Sequence, residues 1–137
     1  MFIINDIELL VRLGKHKLLQ SILTRCAMAI SALKFSQYSF SIQKEFDAYV
    51  KVPIMDCDGE FMQWYQGKGE IASVGDLSSM FVAQQNSGIL VLSHEENPLM
   101  VVATRYGISH IGFDDFIFQN ATDDRMIQFY NLIKQVA

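Results

Sequence analysis

The chain is 137 residues long; half of these are hydrophobic, two are proline, and the formal charge is −4. This length and apolar content predict one domain over residues 1–137 with a core of its own, and exclude extensive disorder. The acidic balance argues against a basic nucleic-acid coat protein, though not against an enzyme whose metal-binding carboxylates themselves make the count negative.

Cys26 and Cys57 lack CxxC spacing and read as reduced thiols of a cytoplasmic protein. Asp6 and Glu8 interrupt the early apolar run that a signal peptide would need. Nowhere does an apolar stretch approach the ~20 residues that span a bilayer, so no membrane partner is expected.

In chain order, Phe2-Ile3-Ile4 is a short strand, and Asn5 or Asp6 caps a helix with apolar positions at Ile7, Leu10, Val11 and Leu13. Gly14 is expected to end that helix, and 18–23 forms a second one after the basic corner Lys15-His16-Lys17. The segment 27–33 is the least patterned, with a short strand after Cys26 the best reading. From Ser36, Tyr38, Ile42, Phe46, Tyr49 and Val50 follow helical spacing until Val52-Pro53. A short helix over 60–66 carries Trp64-Tyr65, aromatics that read as core ahead of a base-stacking platform.

The most informative stretch is 69–111. Glu70 opens a helix with Ile71, Val74, Leu77, Phe81 and Val82 on one face, and Asn86-Ser87-Gly88 breaks it. Ile89-Leu90-Val91-Leu92 is a continuous apolar run of the kind buried on both faces of a parallel sheet. It ends in Ser93-His94-Glu95-Glu96. Pro98 suits the first turn of a helix over 99–106, Gly107 stops it, and 108–111 returns as a strand. Gly112 to Asp115 reads as a turn and Phe116-Ile117-Phe118 as a short apolar piece. Thr122 is expected to cap a last helix with Met126, Ile127, Tyr130, Ile133 and Val136 on one face. The alternation predicts an α/β fold, a three-layer α/β/α sandwich around a small, mainly parallel sheet.

Acidic residues recur at element ends: Asp6, Glu45, Glu70, and Glu95 or Glu96. Carboxylates gathered at one point repel each other unless a hard cation such as Mg²⁺ or Mn²⁺ sits among them. A pair of such ions can activate water and stabilise the leaving oxygen in phosphodiester cleavage. The same residues also read blandly, as helix-start acids (Asp6, Glu70), a solvated helix residue (Glu45) and a polar turn (Glu95-Glu96). His94-Glu95 fails as a HExxH zinc motif because Pro98 holds the last place, and no GxGxxG, P-loop or GxSxG occurs.

Taken together, FIINDIELLVRLGKHKLL, SIQKEF, GEIASVGDLSSMFVAQQNSGILVLSHEENPLMVVATRYGI and FDDF resemble the PIN-domain nucleases over essentially the whole chain. The resemblance implies a Mg²⁺- or Mn²⁺-dependent ribonuclease, often the toxin of a toxin–antitoxin pair, with RNA as substrate, a protein antitoxin as partner and a homodimer as the common assembly. Carried over, Asp6, Glu45 and Glu70 take the first three acidic places, and Glu95 with Glu96 stands where the family has paired aspartates. Glu8 falls where an asparagine is frequent. The longer glutamate side chains strain an octahedral Mg²⁺ geometry, and the helix after them lacks the family's arginine. RNA phosphates would then fall to Arg12, Lys15, Lys17, Lys68 and Arg105. The alternative these departures leave open is a catalytically degenerate PIN-like protein that acts as a binding or regulatory partner.

Overall fold

The computed structural model describes residues 1–69 and 71–135. Its centre is a five-stranded, all-parallel sheet in the order β3-β2-β1-β4-β5, formed by β1 (Phe2–Ile4), β2 (Met28–Ser31), β3 (Ile54–Met55), β4 (Ile89–Leu92) and β5 (His110–Gly112). The register sets Ile3 beside Ala29 and Leu90, and Leu92 beside Gly112. Parallel neighbours cannot be joined by tight hairpins, so each crossover carries helices that cover the sheet.

Side chains alternate across the strands with period two, and the two faces feed two cores. Ile4, Ile30 and Val91 pack under α1 (Ile7–Lys15), α2 (Leu19–Leu23), α4 (Phe40–Tyr49), α8 (Phe113–Asn120) and α9 (Asp124–Lys134). Ile3, Ala29, Leu90 and Leu92 pack under α6 (Val74–Gln85) and α7 (Asn97–Arg105), with α5 (Phe61–Tyr65) at the flank. The result is the expected α/β/α sandwich. No helix among the described residues is long and apolar enough to cross a membrane.

Several boundaries differ from the sequence reading. Gly14 does not end α1 but lies inside it, where a Cβ would stand 2.5 Å from the Tyr49 carbonyl oxygen; close approach of α4, not helix termination, requires the glycine. Gly107 does close α7, with φ +68°. The stretch from Ala32 divides into α3 (Ala32–Ser36) and α4, because Ser31 and Ser39 each cap a helix of their own. The sequence α6 begins at Val74 under a Ser73 cap, so Ile71 precedes the helix and is exposed; Glu70 lies outside the described residues, as does Val136. The Gly112–Asp115 turn is the start of α8, its dipole supported by Asp114 and Asp115 in the first turn. Asp123, not Thr122, caps α9 by accepting from Met126 N at 3.0 Å. Trp64 packs in the core against the rings of Phe61, Phe81 and Tyr106. Cys26 and Cys57 are unpaired; burial raises both thiols, Cys57 to about 11 with Asp58 and Asp56 adding to the effect, so neither is poised as a nucleophile.

Candidate functional site

The strand order reverses between β1 and β4, and in open parallel sheets the crevice at such a reversal, outside the strand carboxyl ends, is where ligands bind. Two segments leave the sheet there. After β1 come Asn5 and Asp6. Asp6 caps α1 by accepting from Leu9 N at 3.0 Å, and Asn5 is buried, only 1% exposed. After β4, Ser93 leads into a single 3₁₀ turn over His94–Glu96. The turn folds Glu96 back so that its Oε1 accepts from Ser93 N at 3.0 Å, while Oε2 accepts from Asn5 Nδ2 at 2.6 Å. Burial is the main force that pushes the Glu96 carboxyl up to about 7. Repulsion from Asp6 adds to this, opposed by the hydrogen bond from Ser93 N, by the Lys34 charge and by the Asn5 amide.

A third segment arrives from α6. Ser73 accepts from Asp76 N at 3.1 Å and donates to Asp76 Oδ2 at 2.9 Å, fixing this carboxylate at the helix start. Asp76 Oδ1 accepts from Asn5 Nδ2 at 2.9 Å and from Lys34 Nζ at 2.7 Å. Burial works against the Asp76 charge, but the hydrogen bonds from Lys34 and Asn5, the Lys34 charge and Ser73 outweigh it, and the carboxyl sits below its ordinary range. Lys34 comes from α3, which Ser31 ties to α6 through a 2.5 Å hydroxyl contact with Ser78. Tyr38 closes the floor: its hydroxyl accepts from Ile7 N at 3.2 Å and donates to Asn5 O at 3.4 Å. Its burial, followed by the neighbouring Asp6, Glu96 and Asp76 charges, keeps it protonated at any ordinary pH.

Of the predicted acids, Asp6, Glu95 and Glu96 line one cleft of about 390 Å³ at this edge, joined there by Glu8 and Asp76. Glu95 is exposed. Glu45 is not brought to them. It pairs at 2.9 Å with Lys15 at the far end of α1, roughly 13 Å along the helix from the Asp6 cap at 1.5 Å per residue. Glu70 lies outside the described residues.

Among the predicted cations, only Arg12 reaches this edge, 3.8 Å from Glu8 and lining an adjoining cavity. Lys15 and Lys17 lie at the other end of α1, Lys68 sits over the Trp64 and Tyr106 rings, and Arg105 is exposed in the last turn of α7. Asn5, Lys34 and Asp76 were missed as site residues. Asp76 carried a signal, the Ser-x-x-Asp spacing of a helix start at Ser73; Lys34 carried none, because it lies in the five-residue α3 just after the least patterned segment.

The adjoining cavity, also about 390 Å³, runs from Asp6 and Glu95 across to Asp114, Tyr130 and Lys134. Tyr130 donates to Asp114 Oδ1 at 2.6 Å, and Lys134 Nζ stands 3.1 Å from Oδ2. Burial opposes the Asp114 charge, yet these two donors and the charges of Lys134 and His94 hold its carboxyl below the ordinary range.

Mg²⁺ and Mn²⁺ take carboxylate oxygens with free lone pairs. Here Asp76 Oδ1 already accepts two bonds, and both Glu96 oxygens accept from nitrogen donors. With the Lys34 ammonium in place, a divalent ion about 4 Å away would meet a repulsion of about 8 kcal/mol at an effective dielectric of ~20. Among the described residues no group of three or more His, Cys, Asp or Glu is disposed to hold a metal. The residues as folded do not fit the ion that the sequence resemblance implies. No family model matches the chain, and no curated protein or solved structure does.

Proposed function

We propose that this chain is a PIN-like domain that works as a binding protein, its acidic cleft receiving a basic segment of a protein partner of the antitoxin or regulatory kind. The observation that carries this reading is the Lys34–Asp76 pair, with Asn5 bridging Asp76 to Glu96: the carboxylates that would hold a metal are neutralised from within the chain. What remains at the rim is acidic. Asp6 and Glu95 have no salt bridge among the described residues, and Glu8 has only a loose one with Arg12. Without a cation between them, such a rim repels RNA phosphates and attracts arginine or lysine side chains.

A second reading, the Mg²⁺- or Mn²⁺-dependent ribonuclease, draws support from the convergence of Asp6, Asp76 and Glu96 from three separate segments at the strand ends. It requires Lys34 to leave Asp76. The two readings part in a cleavage assay on structured and single-stranded RNA with Mn²⁺ or Mg²⁺, run on the wild type and on Asp6→Asn. The binding reading expects no metal-dependent cleavage beyond that of the variant. Cleavage by the wild type that disappears in Asp6→Asn would overturn it in favour of the nuclease.

A further inference from the structure

Three carboxylates from different parts of the chain, Asp6, Asp76 and Glu96, face one cleft at the reversal point of the sheet. Half-buried like charges at such a point need a compensating cation, since each is partly withdrawn from water. A fold can supply that cation as a mobile ion or as a side chain. Here the side chain is present. Lys34 Nζ stands 2.7 Å from Asp76 Oδ1, and the two side chains are only 13% and 18% exposed. The ammonium also lies 5.5 Å from the centre of the Tyr38 ring, within cation–π range. Tyr38 is itself pinned to the backbone at Asn5 and Ile7, on either side of Asp6. The ammonium is therefore held between the carboxylate of one segment and an aromatic face anchored to another. Its position is reinforced from α3, where the Ser31 hydroxyl accepts from Lys34 N at 3.3 Å and contacts Ser78 of α6.

We propose that the Lys34 ammonium is the resident cation of this cleft: it fills the place that a divalent ion would need beside Asp6, Asp76 and Glu96, and its removal opens a site for an oxygen-preferring divalent cation. The charge arithmetic favours this. Replacing Lys34 by a neutral side chain of similar length leaves the Asp76 carboxylate, in a cleft shared with Asp6 and Glu96, without its cation, with Asn5 and Ser73 as its remaining donors. A hard cation is the group that relieves such an arrangement. The inference holds whether or not a partner docks at the rim.

The test is thermal unfolding of the wild type and of Lys34→Met with and without about 10 mM MnCl₂. Water-proton relaxation reports Mn²⁺ binding directly. Lys34→Met is expected to melt below the wild type and to be raised by about 5 °C when Mn²⁺ is added, while the wild type moves by less than about 1 °C. The gain is expected to vanish when Asp76→Asn is added to Lys34→Met. A wild type stabilised by Mn²⁺ as much as the variant overturns the inference, and so does a Lys34→Met protein that neither binds Mn²⁺ nor gains from it.

If Lys34→Met does not fold alone, refolding it in Mn²⁺ is expected to recover the native circular dichroism; failure to recover while Lys34→Arg folds normally without the metal also overturns it. Metal-dependent RNA cleavage by the wild type would strike the binding reading, whereas Mn²⁺ stabilisation of the wild type strikes this one, so the two fail separately.

Discussion

Asn5 Nδ2 stands 2.6 Å from Glu96 Oε2 and, through the same nitrogen, 2.9 Å from Asp76 Oδ1, so one amide joins the end of β1 to the turn after β4 and the start of α6. The two contacts reach across 91 and 71 residues of sequence. Both N–H groups of the amide are consumed. Its own oxygen is buried with no partner among the described residues, and such an orphaned acceptor is tolerated only where the rest of the group is strongly held. Asn5 is thus the mechanical centre of the site.

Replacing Asn5 by leucine, which keeps the branched outline but removes the donor, is expected to destabilise the protein by about 3 kcal/mol, since two part-buried bonds to carboxylates are lost and a larger side chain is forced into a buried place. Urea unfolding measures it. A loss under about 1 kcal/mol would mean that the carboxylates find other donors and that the bridge is incidental.

The architecture was legible because it rests on apolar patterning. Ile89 to Leu92 suits a strand covered on both faces, and the alternation of strands with helices points to a parallel sheet. The site was legible where it followed a strand of that kind, at Asp6, Glu95 and Glu96. It was not legible where the site drew on weak elements. Strand β3 is only Ile54 and Met55 and was not expected, whereas β2 bears out the short strand expected after Cys26. Lys34 lies in the five-residue α3 that follows β2, a helix with no apolar period of its own, so nothing marked it as facing acids more than forty positions away. Glu45 failed for a different reason: a helical spacing fixes which face a residue shares, not which end of the neighbouring helix it meets. The α8 helix was missed because Gly112 followed by the paired Asp114 and Asp115 reads as a turn, although Phe113, Phe116 and Ile117 recur at helical spacing and are buried.

Gly14→Ala is expected to cost about 1–3 kcal/mol, although alanine is the better helix former. Its methyl would stand 2.5 Å from the Tyr49 carbonyl oxygen and 3.1 Å from the carbonyl carbon, and backbone cannot swing aside as a flexible side chain can. The displacement would also disturb the Lys15–Glu45 pair beside it. A thermal melt decides the matter, and an unchanged or raised melting temperature would show that α1 and α4 can part without penalty.

Tyr130→Phe keeps the ring that stacks on Phe113 at 6.1 Å but removes the hydroxyl that donates to Asp114 Oδ1. The loss is expected to be about 1 kcal/mol, because Lys134 remains as a second donor to a carboxylate that is partly in water. The more telling readout is the Asp114 carboxyl, followed by carbon NMR. Its titration should move upward toward the ordinary aspartate range, and a titration that does not move would mean that Lys134 and His94 alone hold it down.

Glu96 and Asp76 pull the pH dependence of stability in opposite directions. Burial pushes the Glu96 carboxyl up to about 7 in the folded protein, from an ordinary glutamate value of 4.5. Between those values the folded state holds a proton that the unfolded state has released. Stability from this group is therefore fully present below pH 4.5 and is lost as pH rises toward 7, by at most about 3 kcal/mol. Asp76 is held below its ordinary 3.8, so its contribution is present above that value and is lost as pH falls through the lowered one. Together they place the maximum from these two groups near pH 4–5, with a decline toward neutrality. Glu96→Gln removes the upper arm and leaves the lower one. Urea midpoints of the wild type should fall between pH 5 and 7.5 while those of the variant stay level over the same interval, and parallel curves for the two proteins would show that Glu96 is ionised throughout.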